Sequence, residues 1–375
     1  MPAAAADPAV TDPASTTSPA VFAPRLTNDD IPGSVPDLAS APPVGWGILG
    51  AGKIAASFTR GIVERTPMRV AAVGSRSVAK AHSFVDANVR AVGGSVDQHP
   101  AVAHGSYASL VADGGVDVVY VATPHSFHLD HALLAIEAGK HVLVEKPLTR
   151  SAAESRILLD AARQAGVFCM EAVWTRFLPH IVAARSAIAR GLIGQVKTII
   201  ADFDVAFAYD PAHRIFAPDL AGGALLDLGI YPIQLAHDLL GVPNDQVIRG
   251  TLAPTGVDDH VSLIYTWTGG QQAILHTSSR AAGAVAATIE GTEGRIVIPT
   301  QFHAPANMTV VRDDGQRWDF TTPVGEGKVY EAAAVARLIV AGETQSPRHP
   351  WADTLELAAL LDEARAALGV VYPGE

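Results

Sequence analysis

The chain has 375 residues, 49% hydrophobic and 17% charged, which is room for two or three packed units at about 150 residues each. Its 27 Lys and Arg stand against 38 Asp and Glu, a formal net charge of -11 with no basic block, which argues against nucleic acid or an anionic membrane as partner. A single cysteine, Cys169, excludes an internal disulfide and a thiolate zinc site, no apolar run approaches the roughly 20 residues of a bilayer-spanning helix, and the expected setting is cytoplasmic.

Residues 1–43 repeat Ala, Ser and Pro (Pro8, Pro13, Pro19, Pro42, Pro43), a composition that cannot bury enough apolar surface to offset its ordering entropy. A disordered tail is expected, without an export signal, since the first basic residue is Arg25. From Val44 the texture changes. An apolar run at 44–49 leads into Gly50, Gly52 and a helical pattern from Ile54, and buried-strand patterns follow at 69–73, 116–122 and 141–144, with a helical stretch at 129–138 between the last two. Alternating strand and helix predicts a doubly wound parallel sheet with helices on both faces, over residues 44–165.

Helices are predicted at 152–165 and 178–190, and then β-branched segments at 196–207, 246–252, 261–267, 272–278, 286–290 and 308–312, joined by turn sequences such as Thr268-Gly269-Gly270. Helices at 225–240, 330–341 and 354–367 would cover one face. The fold class is therefore α/β, with a C-terminal α+β domain at 166–375 built on a large open, mostly antiparallel sheet. Alternation at Ile199, Ala201, Phe203 and Val205 points to an apolar face that another copy would cover, giving a homodimer or homotetramer.

Chemistry is concentrated at the predicted strand ends. Gly50-Ala51-Gly52-Lys53-Ile54-Ala55 fits GxGxxA between strand and helix: the first glycine makes the turn, the second admits a pyrophosphate, and the helix start (Lys53, Ile54) receives its charge. The second strand runs into Gly74-Ser75-Arg76-Ser77 with no carboxylate, and Lys80 follows. Ser75, Arg76 and Lys80 suit a 2′-phosphate, so NADP is expected over NAD; the plainer alternative is a solvated helix start. His125, His128 and His131 lack a metal-binding motif, and no metal is expected. Lys146, in Glu145-Lys146-Pro147, ends a buried strand, where a lysine needs a partner unless it snorkels outward. Asp227 and Tyr231 are four apart and share a helix face, as a site pair or a simple polar stripe.

In this order, GAGKIA at 50–55, EKP at 145–147 and AGGALLDLGIYP at 221–232 resemble the glucose-fructose oxidoreductase and inositol dehydrogenase (Gfo/Idh/MocA) family over nearly everything after Val44. The stretches MEAVWTRF at 170–177, HRIF at 213–216 and GVVYP at 369–373 are similar to its dihydrodiol and NADP-dependent D-xylose dehydrogenase branch. The resemblance implies a Rossmann domain, an open-sheet C-terminal domain and a site between them. It implies that Lys146 is the site lysine, with Pro147 after a cis bond, and that Thr123, Pro124, His125, His128, Glu145 and Arg214 line nicotinamide and diphosphate, with Tyr330 reaching the cofactor from the C-terminal half. Tyr231, where inositol dehydrogenases often carry histidine, points to an aldose or trans-dihydrodiol substrate.

In that reading Tyr231 is general base in oxidation and acid in reduction, Lys146 favours its phenolate, and Asp227 orients the pair. The competing expectations are an enzyme of the glucose-fructose oxidoreductase type that keeps its NADP bound, and a dinucleotide-binding regulator without turnover. Trp174, Phe177, Phe207 and Phe216 are the aromatics expected to shape specificity.

Overall fold

The computed structural model describes residues 37–93, 100–322 and 325–375. Most of the expected tail, residues 1–36, lies outside them. Residues 37–43 are packed: Ala41 is buried, and Arg337 donates to the Asp37 carbonyl and, at 2.9 Å, to Ser40 Oγ.

The N-terminal half alternates as expected. β1 (Gly45–Leu49) leads through the glycine turn to α1 (Lys53–Arg65), then β2 (Arg69–Gly74), α2 (Val78–Val85), β3 (Val102–His104), α3 (Tyr107–Val111), β4 (Val118–Val121), α4 (His128–Glu137), β5 (His141–Glu145), α5 (Ala152–Ala165) and β6 (Cys169–Ala172). All six strands are parallel, in the order β3-β2-β1-β4-β5-β6. Helices on both sides leave β1 and β4 wholly buried, which is why these two strands read as continuous apolar runs rather than alternating ones; β6 is buried too but carries Glu171. The order reverses between β1 and β4, so their carboxyl ends splay apart into the crevice where such sheets bind ligands. Because β6 pairs with β5, the sheet runs past residue 165, where the sequence pattern placed its end.

The C-terminal half continues with α6 (Pro179–Ala189), β7 (Val196–Asp204), α7 (Ile230–Leu240), β8 (Asp245–Leu252), β9 (Asp258–Thr266), β10 (Gln272–Ser278), β11 (Ala287–Gly291), β12 (Gly294–Ile298), β13 (Asn307–Arg312), β14 (Arg317–Thr321), α8 (Lys328–Val340) and α9 (Trp351–Leu368). Its eight-stranded sheet, β14-β13-β12-β11-β7-β10-β9-β8, is antiparallel except for the β7–β10 pair.

The exposed face of this sheet is the opposite of the one expected. Ile199, Ala201 and Phe203 are buried in the chain's own core, while Ile200 lies outside at 43% exposure. The period of two was right and the phase was wrong, because residues one apart on a strand point to opposite faces. In register with Ile200 stand Ile274, Ile264 and Val247, all exposed, a row crossing β7, β10, β9 and β8.

Arg176, 1% exposed, binds the C-terminal helices together: its guanidinium donates to Asp353 and the Arg348 carbonyl and lies 3.0 Å from His237 Nδ1. Among the described residues no helix is long and apolar enough to cross a membrane.

Candidate active site

Gly50 leaves β1 with φ +105°, where a side chain would meet the Ala122 carbonyl, so the tight turn requires glycine. Gly52 begins α1, and no side chain caps that first turn. A Cβ on Gly52 would meet nothing within 4 Å. The uncapped N–H groups of a helix start facing open space are the cradle a pyrophosphate needs. Lys53 and Ile54 are exposed on that turn. At the end of β2, Ser75 is buried and Arg76 and Lys80 are exposed, with Ser77 Oγ capping the Lys80 N–H of α2 at 3.4 Å. No carboxylate follows β2 in the chain before Asp86. These residues fit an NAD(P) dinucleotide.

Beyond β4, Thr123 and Pro124 turn the chain into α4. The His128 ring lies between the Thr123 and Pro147 carbonyls, 2.9 Å from each, and burial lowers its pKa. Thr123 Oγ1 meets His131 Nδ1 at 3.0 Å. His125 Nδ1 donates to the Ala221 carbonyl at 3.1 Å, and burial pushes this imidazole down to about 3, leaving it neutral. Two of the three histidines thus bridge the N-terminal crevice to other segments of backbone.

Glu145 ends β5. One of its oxygens accepts from the Tyr120 hydroxyl and the other from the Lys146 N–H at 3.3 Å. The Lys146–Pro147 bond is cis, as expected. The Lys146 ammonium is buried, and it donates to the Asp227 carbonyl at 2.6 Å and to Asp227 Oδ1 at 3.1 Å. Asp227 stands in a wide π turn, Leu225–Gly229, that runs into α7. This turn is held by Asp258, whose Oδ2 accepts from the Leu225 N–H at 2.6 Å; Gly223, at φ +121°, leaves the space Asp258 occupies. Arg214 donates to the other Asp227 oxygen at 2.9 Å. Burial opposes the Asp227 charge, but Lys146 and then Arg214 hold its carboxyl well below the usual range. Burial likewise works against the Lys146 ammonium, and Asp227, then Tyr231, keep its pKa above the ordinary value.

Tyr231 lies on the same side of α7, with Lys146 Nζ 5.1 Å from its ring centroid. Its hydroxyl accepts from Trp174 Nε1 at 3.0 Å. Lys146 pulls the phenol pKa down, as the sequence reading held, but burial outweighs it and pushes Tyr231 up to about 12. At neutral pH the residue is a phenol beside an ammonium, with its oxygen held by an indole and its proton free to donate.

Tyr330 is buried on α8, and its phenol feels the Arg65 guanidinium at the end of α1. Lys328, two positions earlier and so on the other side of α8 at 100° per residue, faces the crevice instead: its ammonium is 4.1 Å from the Trp174 ring centroid and 3.4 Å from Ser57 Oγ on α1. Of the four aromatics expected to shape specificity, Trp174 reaches Tyr231, whereas Phe177 and Phe216 are in the core and Phe207 stacks near His213. Sequence reading missed Lys328 and His303, which lie in segments without a motif.

A glycine-turn parallel sheet whose ligand crevice faces a buried lysine–aspartate–tyrosine set defines a dinucleotide-dependent oxidoreductase. The comparisons agree. Residues 44–173 match the oxidoreductase family with NAD-binding Rossmann fold, and residues 181–297 match the GFO/IDH/MocA C-terminal domain. A trans-1,2-dihydrobenzene-1,2-diol dehydrogenase of Xenopus tropicalis is 35% identical over 88% of this chain and 99% of its own length. A D-xylose 1-dehydrogenase (NADP(+)) of Hypocrea jecorina is 33% identical over 88% of this chain and 93% of its own. A crystal structure of a 3-ketoreductase from Actinomadura kijaniata in complex with NADP and TDP-benzene superposes with TM-score 0.73 at 27% identity, covering 87% of this chain and 98% of that one. The chain belongs to the Gfo/Idh/MocA oxidoreductase family and is an NAD(P)-dependent dehydrogenase.

Proposed function

We propose that the protein transfers hydride between NADP and a hydroxyl or carbonyl carbon of an aldose, such as D-xylose or glucose, or of a trans-dihydrodiol. The observation that carries this reading is Tyr231, its oxygen fixed by Trp174 and its ring beside the Lys146 ammonium. NADP, when bound, supplies or accepts the hydride at the reacting carbon. The protein's part is the proton. In reduction the Tyr231 phenol gives its proton to the substrate oxygen as negative charge develops there, and the Lys146 ammonium stabilises that charge. In oxidation the same oxygen takes the proton back. Asp227 holds Lys146 charged and in place. Burial raises the Tyr231 phenol to about 12, so at neutral pH the resting residue carries the proton that reduction uses.

The choice of NADP is supported by Arg76, exposed after β2 with no carboxylate beside it, and by the relatives named for that cofactor. Pairing of two copies is supported by the exposed row Val247, Ile264, Ile274 and Ile200; light scattering on the intact protein tests it, and a strict monomer excludes it.

The experiment follows absorbance at the NADPH band with aldoses, inositols and a trans-dihydrodiol, using NADP and NAD in parallel. Turnover of an aldose or the diol with NADP is expected, and Arg76→Ala should weaken NADP by roughly ten- to a hundredfold while touching NAD little. Turnover with NAD alone overturns the phosphate argument. If nothing turns over, nicotinamide retained through purification favours the hydride-shuttling reading, and an empty protein that still binds NADP favours the regulator.

A further inference from the structure

His303 follows Phe302 in the connection between β12 and β13, and that connection is pinned from two sides: the Phe302 N–H donates to the Val285 carbonyl at 3.1 Å, and the Phe302 carbonyl lies 2.9 Å from His180 Nε2. The pinned ring is set into an aromatic box. Its centroid is 4.2 Å from that of Phe203, 5.1 Å from that of Tyr231 and 6.0 Å from that of Trp174. A leucine or phenylalanine would fill such a box at no polar cost. The imidazole instead leaves Nδ1 buried with no hydrogen-bond partner, and polar atoms in that condition ordinarily have a reason.

The neighbouring polar groups do not answer it. The Tyr231 hydroxyl lies against Trp174 Nε1 and the nearby Lys328 ammonium sits over the Trp174 ring, and neither hydrogen-bonds His303 Nδ1. Burial, with Lys328 and Lys146 adding to it, pushes His303 down to about 3, so the ring is neutral at any pH the enzyme would meet. A neutral imidazole offers one N–H and one lone pair. The two functions lie on different ring nitrogens, so an uncharged hydroxyl can meet either one, as acceptor or as donor, while the ring itself gives a carboxylate or phosphate no charge to meet.

We infer that His303 is a specificity-determining residue that hydrogen-bonds a second hydroxyl of the substrate, one lying beyond the carbon whose oxygen meets Tyr231. The inference rests on the function proposed above and deepens it: within that aldose or diol class, the deoxy analogue lacking this one hydroxyl is discriminated against at His303. A site that hydrogen-bonds a hydroxyl rejects the analogue lacking it because its own polar group is then left unpaired.

The test compares wild type, His303→Phe and His303→Gln on the best aldose or diol from the assay above and on deoxy analogues of it that lack one neighbouring hydroxyl each. NADP binding and Tm of each variant serve as folding controls. For His303→Phe, kcat/KM on the full substrate is expected to fall roughly tenfold, mainly through KM, as expected for one lost hydrogen bond. One deoxy analogue should be poor for wild type and no poorer for His303→Phe, and His303→Gln should recover part of the loss. If wild type and His303→Phe prefer the full substrate over every deoxy analogue by the same ratio, the inference is overturned and the proposed function stands. A wild-type enzyme that neither binds nor turns over any sugar or diol with NADP overturns both.

Discussion

Asp227 and Asp258 are carboxyls sealed in the same half of the molecule, at the two sides of one turn, and their pKa values move in opposite directions. Asp227 faces Lys146 and Arg214 and is held ionised well below the usual range. Asp258 faces the backbone: one oxygen accepts from the Leu225 N–H, the other is buried without a partner, and burial pushes the group up to about 6. Glu331 on α8, wholly buried with neither oxygen partnered, is raised well above the usual carboxylate range, with Glu145 adding to the effect of burial. Burial works to raise all three. What differs is whether a cation is hydrogen-bonded to the carboxylate: Lys146 and Arg214 bond Asp227, whereas Arg365 and Lys328 lower Asp258 and Glu331 without a hydrogen bond. The side of the turn facing the crevice is built to hold charge, and on the side facing the sheet the charge is disfavoured.

The sharpest way to probe the charged side is through Tyr231, which that charge serves. Tyr231→Phe removes the proton donor and keeps the ring contacts with Phe203 and His303, so kcat should fall by about 10² to 10⁴ with NADP affinity nearly unchanged. Full turnover in steady-state assays of this variant would remove the tyrosine from its role. Next comes Asp227→Asn, which leaves Lys146 buried without its hydrogen-bonded carboxylate. Breaking a buried pair by removing one partner costs about 3–5 kcal/mol, and chemical denaturation should register a loss on that scale together with a collapse of activity. Since the native Asp227 pKa is depressed, this contribution is complete above the ordinary carboxylate range and is lost only as the solution becomes strongly acidic. A variant as stable and active as wild type would mean that solvent, not Asp227, balances the lysine.

On the side facing the sheet the sign reverses and the effect is smallest. Asp258 has a folded pKa near 6, above its unfolded value, so whatever it contributes to stability is full below about pH 4 and lost as pH rises through 6. Asp258→Asn keeps the acceptor for Leu225 and cannot ionise. Its Tm should exceed that of wild type by a few degrees at pH 8, and the gap should close as pH falls to about 4. A Tm difference between the two that does not vary with pH would show that Asp258 does not titrate in this window.

The parallel half was legible because its signals are local. A buried strand, a glycine turn and a helix start occupy adjacent residues, and strand ends at Leu49, Gly74, Val121 and Glu145 put Gly50, Ser75, Thr123 and Lys146 around one crevice by topology alone. The C-terminal half was legible in kind and not in phase. Alternation along Ile199, Ala201 and Phe203 marks a strand, but which side the helices cover depends on residues far away in sequence. Lys328, two residues before Tyr330, has no motif around it. β14 carries one β-branched residue, Thr321, and does not stand out, whereas β12 holds the short run Ile296-Val297-Ile298, and the charge state of Tyr231 depends on burial that no spacing encodes. His303 has no motif around it.

The contacts between Arg337 and the Asp37–Ser40 segment mark where the chain can be cut or joined. Arg337 is near the last turn of the helix whose first turn holds Lys328 against Trp174, so removing everything before Val44 would take away partners at one end of the element that carries a site residue at the other. An affinity tag, a fluorescent fusion or a protease cleavage sequence therefore belongs upstream of Asp37, where it leaves that clasp closed.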